Sequence, residues 1–472
     1  MNLAFVAHSD GFDLQFEGHL LLRHRFDCPS LVMARGQPRI EMVLGNFRIE
    51  DNPTDSIVPL QFVVAGSEVT LRHADRDVAR FSLCGSGLTV EALEPGFDRL
   101  VLSFHAEAGE CVWGGGEQMS YLALNGRRFP MWTSEPGVGR DKSTRLTRLM
   151  DEQAMAGGDY WNTNYPQPTF LTSRWLAIHL DESCYSVLDF SDTAAHRVEV
   201  WSSRARFEFF AAVEPAALVG KLSERFGRQP ALPDWAISGA IVGLKSGESS
   251  FDRLERFIEA GTSISGLWCE DWAGVRETSF GRRLFWDWQI GSRSEQRYPA
   301  LGTRIAALKA RGIRFLAYAN PYLAVDGELF AEAAAGGHFA LRQDSDEPYL
   351  VEFGEFECGV VDFTRVETRA WFAERVLSRE MLDKGSTAGW PISASIFRSI
   401  FALQTGRIRW RRIIAGRCCG LRSMLSPSAC VAGPAMPCSS CGPDSRGFSA
   451  IARCSGQAIS QSISPGTTAS VR

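Results

Sequence analysis

Residues 1–384 of this 472-residue chain lack any pair of cysteines at close spacing: Cys28, Cys84, Cys111, Cys184, Cys269 and Cys358 are scattered singly. That excludes a disulfide framework and a zinc site, and it predicts reduced thiols. No metal or other cofactor is expected. The Gly-rich run GGGEQM at 114–119 neither follows a strand nor opens a helix, so it makes a poor dinucleotide loop. The start, MNLAFVAHSDGFDLQF, has neither a basic leader nor an apolar run long enough for a signal peptide or a membrane span. A cytoplasmic protein with no membrane partner is the expectation. Excess positive charge is missing as well, with 50 basic against 55 acidic side chains and a net of −5. An acidic body argues against a nucleic-acid partner and for a small-molecule substrate, because phosphate backbones favour basic faces.

A further absence divides the chain at Lys384–Gly385. Residues 385–472 contain ten Arg, no Lys, six Cys and a single acid, Asp444. Residues 1–384 carry 40 basic and 54 acidic side chains, a net of −14 against +9 for the tail. Folded domains seldom have the tail's composition. Back-translating Lys384–Ile396 with GC-leaning codons and reading from each codon's third base yields GLDGWMADFGEY. Arg453–Ala469 at the same offset yields LLWAGDQSVDFSRHDG. Two coherent strings in one register identify 385–472 as out-of-frame translation, which is expected to be disordered or mispacked.

What is present before the break is ample for two or three domains, since the whole chain is 45% hydrophobic and 11% aromatic. From residue 1 to 226, short alternating runs such as LQFVV, RLVLSF, SVLDF and HRVEVW, separated by Gly, Asp and Pro turns, predict an antiparallel β-sandwich. GRQPALPDW, at 227–235, is a proline-bearing linker. After it come SGAIVGL, SISGLWCEDW, RFLAYANPYL and GVVDF, alternating with helices expected at 251–260, 299–311, 327–336 and 367–383. Strand–helix alternation implies a parallel sheet, and polar residues cluster at the strand ends (Lys245, Glu270, Asp271, Asn320, Asp362), where a β/α barrel carries its chemistry. About three barrel strands precede the break, over 227–384. No internal repeat is found.

The strings WGGGEQMSYLALNGRRFPMWTSEPGVGRD (113–141), GGDYWNTNYPQPTF (157–170), FGRQPALPDWAISGAIVGLK (226–245), GLWCEDWAGVRETSFGRRLFWDW (266–288) and FLAYANPYL (315–323) resemble the α-sulfoquinovosidases of glycoside hydrolase family 31. The match runs through nearly all of 100–384. The resemblance implies a galactose-mutarotase-like sandwich, a (β/α)8 barrel, and retaining hydrolysis of a sulfonated sugar glycoside by two Asp residues. Its nucleophile lies in a string like GWMADFGEY and its acid/base in one like WAGDQ, and both occur here only out of frame. The first codon straddles Pro391 and Ile392, the second Ala458 and Ile459, and none of these side chains can replace a carboxylate. Retention needs two carboxyls about 5–5.5 Å apart. The chain is therefore expected to be inactive.

A sulfonate is anionic throughout the physiological range and wants fixed donors. The resemblance places Arg283 and Trp286 on it, with Lys245 and Glu270 beside ring hydroxyls and Asp271 on a further hydroxyl. On spacing alone Arg283 reads as a surface ion pair, Trp286 as a core aromatic, and Lys245 and Glu270 as partners of each other. Glu117 and Gln118, with 134–140 (SEPGVGR), suit either a loop inserted into a pocket or a plain Gly-rich turn. A neutral-sugar α-glucosidase or α-xylosidase is the nearest alternative, and a non-catalytic sugar-binding protein is the alternative from another class.

Overall fold

The computed structural model describes residues 3–391 apart from Gly45, Ser183, Gln229, Pro230, Gln343, Asp344 and Thr364. The chain divides into two compact units, one comprising Met1–Gly227 with Ala340–Gly354, the other Arg228–Phe339 with Glu355–Ile392.

The first unit is built on two large antiparallel sheets. One orders its strands Val112–Gly116, Pro166–Thr172, Leu176–Leu180, Arg204–Ala211, Gly87–Ala92, Arg76–Cys84, Glu68–His73, Gln61–Ala65. The other runs Arg128–Pro130, Ser186–Asp189, Ala195–Val200, Arg99–His105, Leu31–Arg35, Thr54–Ile57. Alternation decides which faces meet: Arg99–His105 buries Leu100, Leu102 and Phe104, each two apart, and these side chains point one way. Phe104 packs edge-on against Phe207 of the facing sheet at 5.1 Å between ring centres, so the core lies between the two sheets. One buried charge cluster joins this core. Glu110 accepts from Arg174 Nε at 2.9 Å and lies 3.5 Å from His196 Nε2, while Arg174 also donates to the carbonyls of Leu20 and His105. Burial raises the Glu110 pKa, but hydrogen bonds from His196, Thr172, the Glu107 amide and Arg174 outweigh it and hold the carboxyl at about 2.

The second unit has a parallel sheet in sequence order: β1 (Ala240–Leu244), β2 (Ile264–Cys269), β3 (Arg314–Ala319) and β4 (Ala388–Pro391). All neighbouring pairs are parallel, with Leu244 opposite Cys269, Cys269 opposite Ala317, and Ala319 opposite Pro391. Helices fill the crossovers: α1 (Ser249–Glu259) after β1, α2 (Ser292–Arg297) and α3 (Leu301–Ala310) after β2, and α4 (Glu328–Ala335) and α5 (Val366–Phe372) after β3. Leu301, Ile305 and Leu308 of α3 recur at four and three residues and are all buried, the apolar stripe a sheet-covering helix requires. α5 continues as a π-helix over Ala373–Leu382. Among the described residues no helix is long and apolar enough to cross a membrane.

Two sequence expectations differ from this arrangement. Of the run GVVDF only Gly359 and Val360 lie in a strand, Glu357–Val360, and that strand pairs antiparallel with Tyr322–Ala324 and stands outside the parallel sheet. About three barrel strands were expected, all before Lys384; the chain adds β4 from within 385–472. Parallel pairing uses backbone groups that any non-proline residue supplies, so strand formation does not require the expected side chains. The rest of that tail, 392–472, lies outside the described residues, and with it Ile392, Ala458 and Ile459. Pro391 ends β4.

Candidate active site

Because β1, β2 and β3 are parallel, whatever follows each strand emerges at the same end of the sheet, the C-terminal one. Lys245 follows β1, Glu270 and Asp271 follow β2, Asn320 follows β3, and Pro391 closes β4 at that same end. Lys245 Nζ lies 3.2 Å from Glu270 Oε2, with the Lys245 side chain 56% and the Glu270 side chain 26% exposed. The other Glu270 oxygen accepts from Trp268 Nε1 at 3.1 Å. This pair is half in water, so its value is the orientation of two polar heads rather than stability.

Asp271 is turned the other way. It is 3% exposed, and both its oxygens are engaged. Oδ2 accepts from Arg297 Nε at 2.7 Å, and Oδ1 accepts from the Tyr298 hydroxyl at 2.6 Å and, weakly, from the Cys269 thiol at 3.6 Å. Burial, with the neighbouring thiol and carboxylate, pushes the Tyr298 hydroxyl far up, and burial does the same to Cys269, so both stay protonated donors. Both oxygens of Asp271 already accept from neighbouring side chains, so the carboxylate ties Arg297, Tyr298 and Cys269 together at the end of β2. Arg297 also donates to the Lys245 carbonyl, which ties the end of β1 to the end of β2. Gly247, at φ 65°, lets the turn after Lys245 wrap this guanidinium; a Cβ there would stand 3.0 Å from the Arg297 carbonyl.

Arg283 lies on a two-stranded hairpin, Val275–Thr278 with Gly281–Leu284, whose tip is held by Glu355 accepting from the Ser279 amide at 2.9 Å. The Arg283 guanidinium is exposed, sits 4.7 Å from the centre of the Phe280 ring, and makes no ion pair among the described residues. Its strand partner Arg276 is instead neutralised by Asp326 at 2.8 Å and lies over Phe285 and Phe356. Trp286 stacks on Tyr322 at 5.3 Å and meets Phe356 edge-on at 5.7 Å. Next to it, Asp287 accepts from the Leu329 amide at 2.9 Å and the Glu328 amide at 3.3 Å, capping α4 from 41 residues away in sequence. Trp288 is fully buried and donates to the carbonyls of Asn320 and Tyr322. WDW thus alternates between a half-buried aromatic, a helix cap and a core aromatic.

Glu117 and Gln118 belong to the first unit. Glu117 is exposed, and its amide donates to Tyr165 O at 2.8 Å. Gln118 Nε2 donates to Gly115 O at 2.9 Å, leaving Oε1 buried without a partner among the described residues. Gly116 has φ 85° and no room for a Cβ, which would fall 2.2 Å from the Tyr165 carbonyl. The 134–140 segment is no plain turn: Arg140 donates to the carbonyls of Pro136, Tyr160 and Asn162 and to Ser120 Oγ, binding three loops together. Sequence reasoning missed Arg140, Arg297, Tyr298 and Asp287 as organisers. Most of their partners are remote along the chain. Among the described residues no group of three or more His, Cys, Asp or Glu could hold a metal.

No family model matches the chain. It is 50% identical over 388 residues to a sulfoquinovosidase of Agrobacterium fabrum, a match covering 82% of this chain and 58% of that protein. A sulfoquinovosidase of Escherichia coli is 38% identical over 404 residues, covering 83% and 58% respectively. The chain thus spans 58% of the length of these curated relatives. Among solved structures, a GH31 family sulfoquinovosidase from E. rectale, in complex with an aza-sugar inhibitor, superposes with a TM-score of 0.79 at 34% identity, over 90% of this chain and 64% of that one. Across the span it shares with these proteins, the chain is a homologue of the sulfoquinovosidases of glycoside hydrolase family 31.

Proposed function

We propose that this chain is the N-terminal portion of a retaining α-sulfoquinovosidase, with a sandwich domain over 1–226 and the first strands of a (β/α)8 barrel over 227–384, and that the chain as it stands does not turn over substrate. The reading assigns the sulfonate to Arg283 and Trp286. A guanidinium with no anionic partner among the described residues, held out on a hairpin, suits a charge-assisted and forked contact with three equivalent oxygens. Lys245 and Glu270 take ring hydroxyls, as a donor and an acceptor 3.2 Å apart. Glu117 and Gln118 remain candidates on the loop of their own unit. The substrate class is sulfoquinovosyl glycerol or its diacylglycerol, a small-molecule glycoside met in the cytoplasm.

The observation that carries the reading is this convergence of Lys245, Glu270 and the end of β4 at the C-terminal end of one sheet, in a chain 50% identical to a sulfoquinovosidase over 388 residues. The acid and the nucleophile fall at Ala458–Ile459 and Pro391–Ile392, where the frame supplies no carboxyl. Without a nucleophile the glycosyl-enzyme route is closed. The test is hydrolysis of para-nitrophenyl α-sulfoquinovoside by the full chain and by a version with the frame restored near Lys384. The restored protein should hydrolyse it with retention, and the chain as written should stay at background. Turnover by the latter within about a hundredfold of the former would overturn the inactive assignment. Preference of the restored protein for the α-glucoside would hand the site to the neutral-sugar reading.

A further inference from the structure

The segment 286–291 joins the hairpin that carries Arg283 to α2, which carries Arg297, and so lies between the groups assigned to the sulfonate and those assigned to the ring. Its backbone is held near both ends. The Trp286 carbonyl accepts from the Ala324 amide at 2.8 Å, and the Ile290 amide donates to Glu380 Oε2 at 3.2 Å. Glu380 stands on the π-helix Ala373–Leu382, and that winding decides what it can reach. In an α-helix, residues five apart lie roughly 140° from each other around the axis. A π turn bonds residue i to i+5, as the Asp383 amide does to the Ser378 carbonyl at 2.8 Å, and so stacks the two on one face. Arg375 and Glu380 are such a pair, with Nη1 2.8 Å from Oε1. The same guanidinium donates through Nε to Glu332 of α4 at 2.9 Å and through Nη2 to Gln289 Oε1 at 2.9 Å. Gln289 in turn donates to Asp287, the carboxylate that caps α4.

We propose that Arg375 and Glu380 are positioning residues for sulfonate selectivity: the π-helix clasps residues 289–290 and thereby sets where Trp286 stands. This rests on the assignment of Trp286 and Arg283 to the sulfonate. A supporting ion pair needs two partners, whereas here Nε, Nη1 and Nη2 of one planar fork each donate to a different segment, so a shift of any one is passed to the others. The Arg375 and Glu380 side chains are 16% and 10% exposed, and removing either leaves the other's charge largely out of water. Beyond its last turn the π-helix leads into β4, the Ser386 amide donating to the Met381 carbonyl at 2.9 Å and the Thr387 amide to the Phe315 carbonyl at 2.8 Å. One element therefore spaces the anion-binding segment from the strand end assigned to the nucleophile. Lys245 and Glu270 are held separately, through Arg297 and Asp271, so slackening the clasp disturbs an anionic sugar more than a neutral one.

In the full chain, Glu380→Ala removes the acceptor of the Ile290 amide and Arg375→Gln removes the fork. Each should speed hydrogen exchange at Ile290 roughly tenfold or more while β1 and β2 stay within about twofold. Gln289→Ala unlinks the fork from the segment without leaving a buried charge, and should speed the same amide about threefold even where the ion pair cannot be broken without unfolding. In the frame-restored protein, Arg375→Gln should raise KM for para-nitrophenyl α-sulfoquinovoside about tenfold more than KM for para-nitrophenyl α-glucoside, with kcat on either within about threefold of the parent. A purely structural role would damage both substrates alike. Unchanged exchange at Ile290 in all three variants, or equal kinetic loss on both substrates, overturns the proposal. A restored parent that prefers the α-glucoside overturns it too, through the sulfonate assignment, and the two failures are told apart because the exchange measurement uses no substrate.

Discussion

Asp271→Asn separates an anchoring carboxylate from a sugar-binding one without any substrate. The wild-type side chain is 4% exposed and accepts from Arg297, Tyr298 and Cys269, while Arg297, itself 12% exposed at its side chain, reaches on to the Lys245 carbonyl. Breaking a buried ion pair by removing one partner costs about 3–5 kcal/mol, because the other charge is left buried and unpaired. Asn keeps one carbonyl acceptor, which recovers about 1 kcal/mol. The second unit should therefore lose about 2–4 kcal/mol of local stability, which accelerates native-state hydrogen exchange roughly 30- to 1000-fold in β1, β2 and the turn after Lys245. Exchange in Arg204–Ala211, deep in the sandwich core, should not change and serves as the internal reference. The comparison is local because a chain of two units need not unfold as one. Tyr298→Phe removes a single hydrogen bond and should cost only about 1 kcal/mol. Less than about fivefold faster exchange in Asp271→Asn would refute the anchor and return this residue to the sugar.

The Glu110 cluster should appear in acid unfolding. Its carboxyl is depressed to about 2, so its contribution is present above the unfolded value near ~4.3 and lost as pH falls through about 2; at roughly 3 kcal/mol, Glu110→Gln should remove most of that acid dependence in a pH series of urea melts, and an unchanged profile would contradict the cluster's role. Asp287→Ala removes the cap on α4 and should cost about 1–2 kcal/mol, read as faster exchange at Leu329 with β1 unaffected. In the frame-restored protein, Arg283→Lys keeps the charge but loses the fork. That should cost about 2–4 kcal/mol, or roughly 30- to 1000-fold in kcat/KM, on the sulfonated glycoside only; equal damage to para-nitrophenyl α-glucoside would misplace the sulfonate.

The parts of the fold that periodicity controls were legible in the chain. Helices expected at 251–260, 299–311 and 327–336 form as Ser249–Glu259, Leu301–Ala310 and Glu328–Ala335, because each repeats its apolar residues at helical spacing. GVVDF was not: a run of buried apolar residues has the same appearance in a parallel sheet and in an antiparallel pair, and only the partner distinguishes them. The 367–383 helix was legible as a helix but not in its winding, which changes from α to π at Ala373. At the site, Lys245 and Glu270 were visible as residues ending strands, and their pairing follows from neighbouring parallel strands in register. Asp271, adjacent in sequence and identical in charge type, has the opposite orientation. Its partners Arg297 and Tyr298 lie 26 and 27 residues away, beyond any local pattern.

That opposite orientation explains how two acids in succession divide the work at the end of one strand. Successive residues leaving a strand point to opposite sides. Glu270 takes the side where Lys245 and Trp268 hold it half in water, and Asp271 the side where Arg297 locks the two strand ends together. The guanidinium is the hinge of the arrangement. If it slackened, Lys245 would keep its charge but lose the fixed backbone from which it meets Glu270. The geometry of the polar pair is consequently set by α2 and by the turn at Gly247, all encoded before Lys384. On the proposed reading, binding groups and bond-breaking groups are segregated along this chain, the first lying before Lys384 and the second assigned after it. A frame lost at Lys384 would remove the chemistry while leaving the Lys245–Glu270 pair and its support intact.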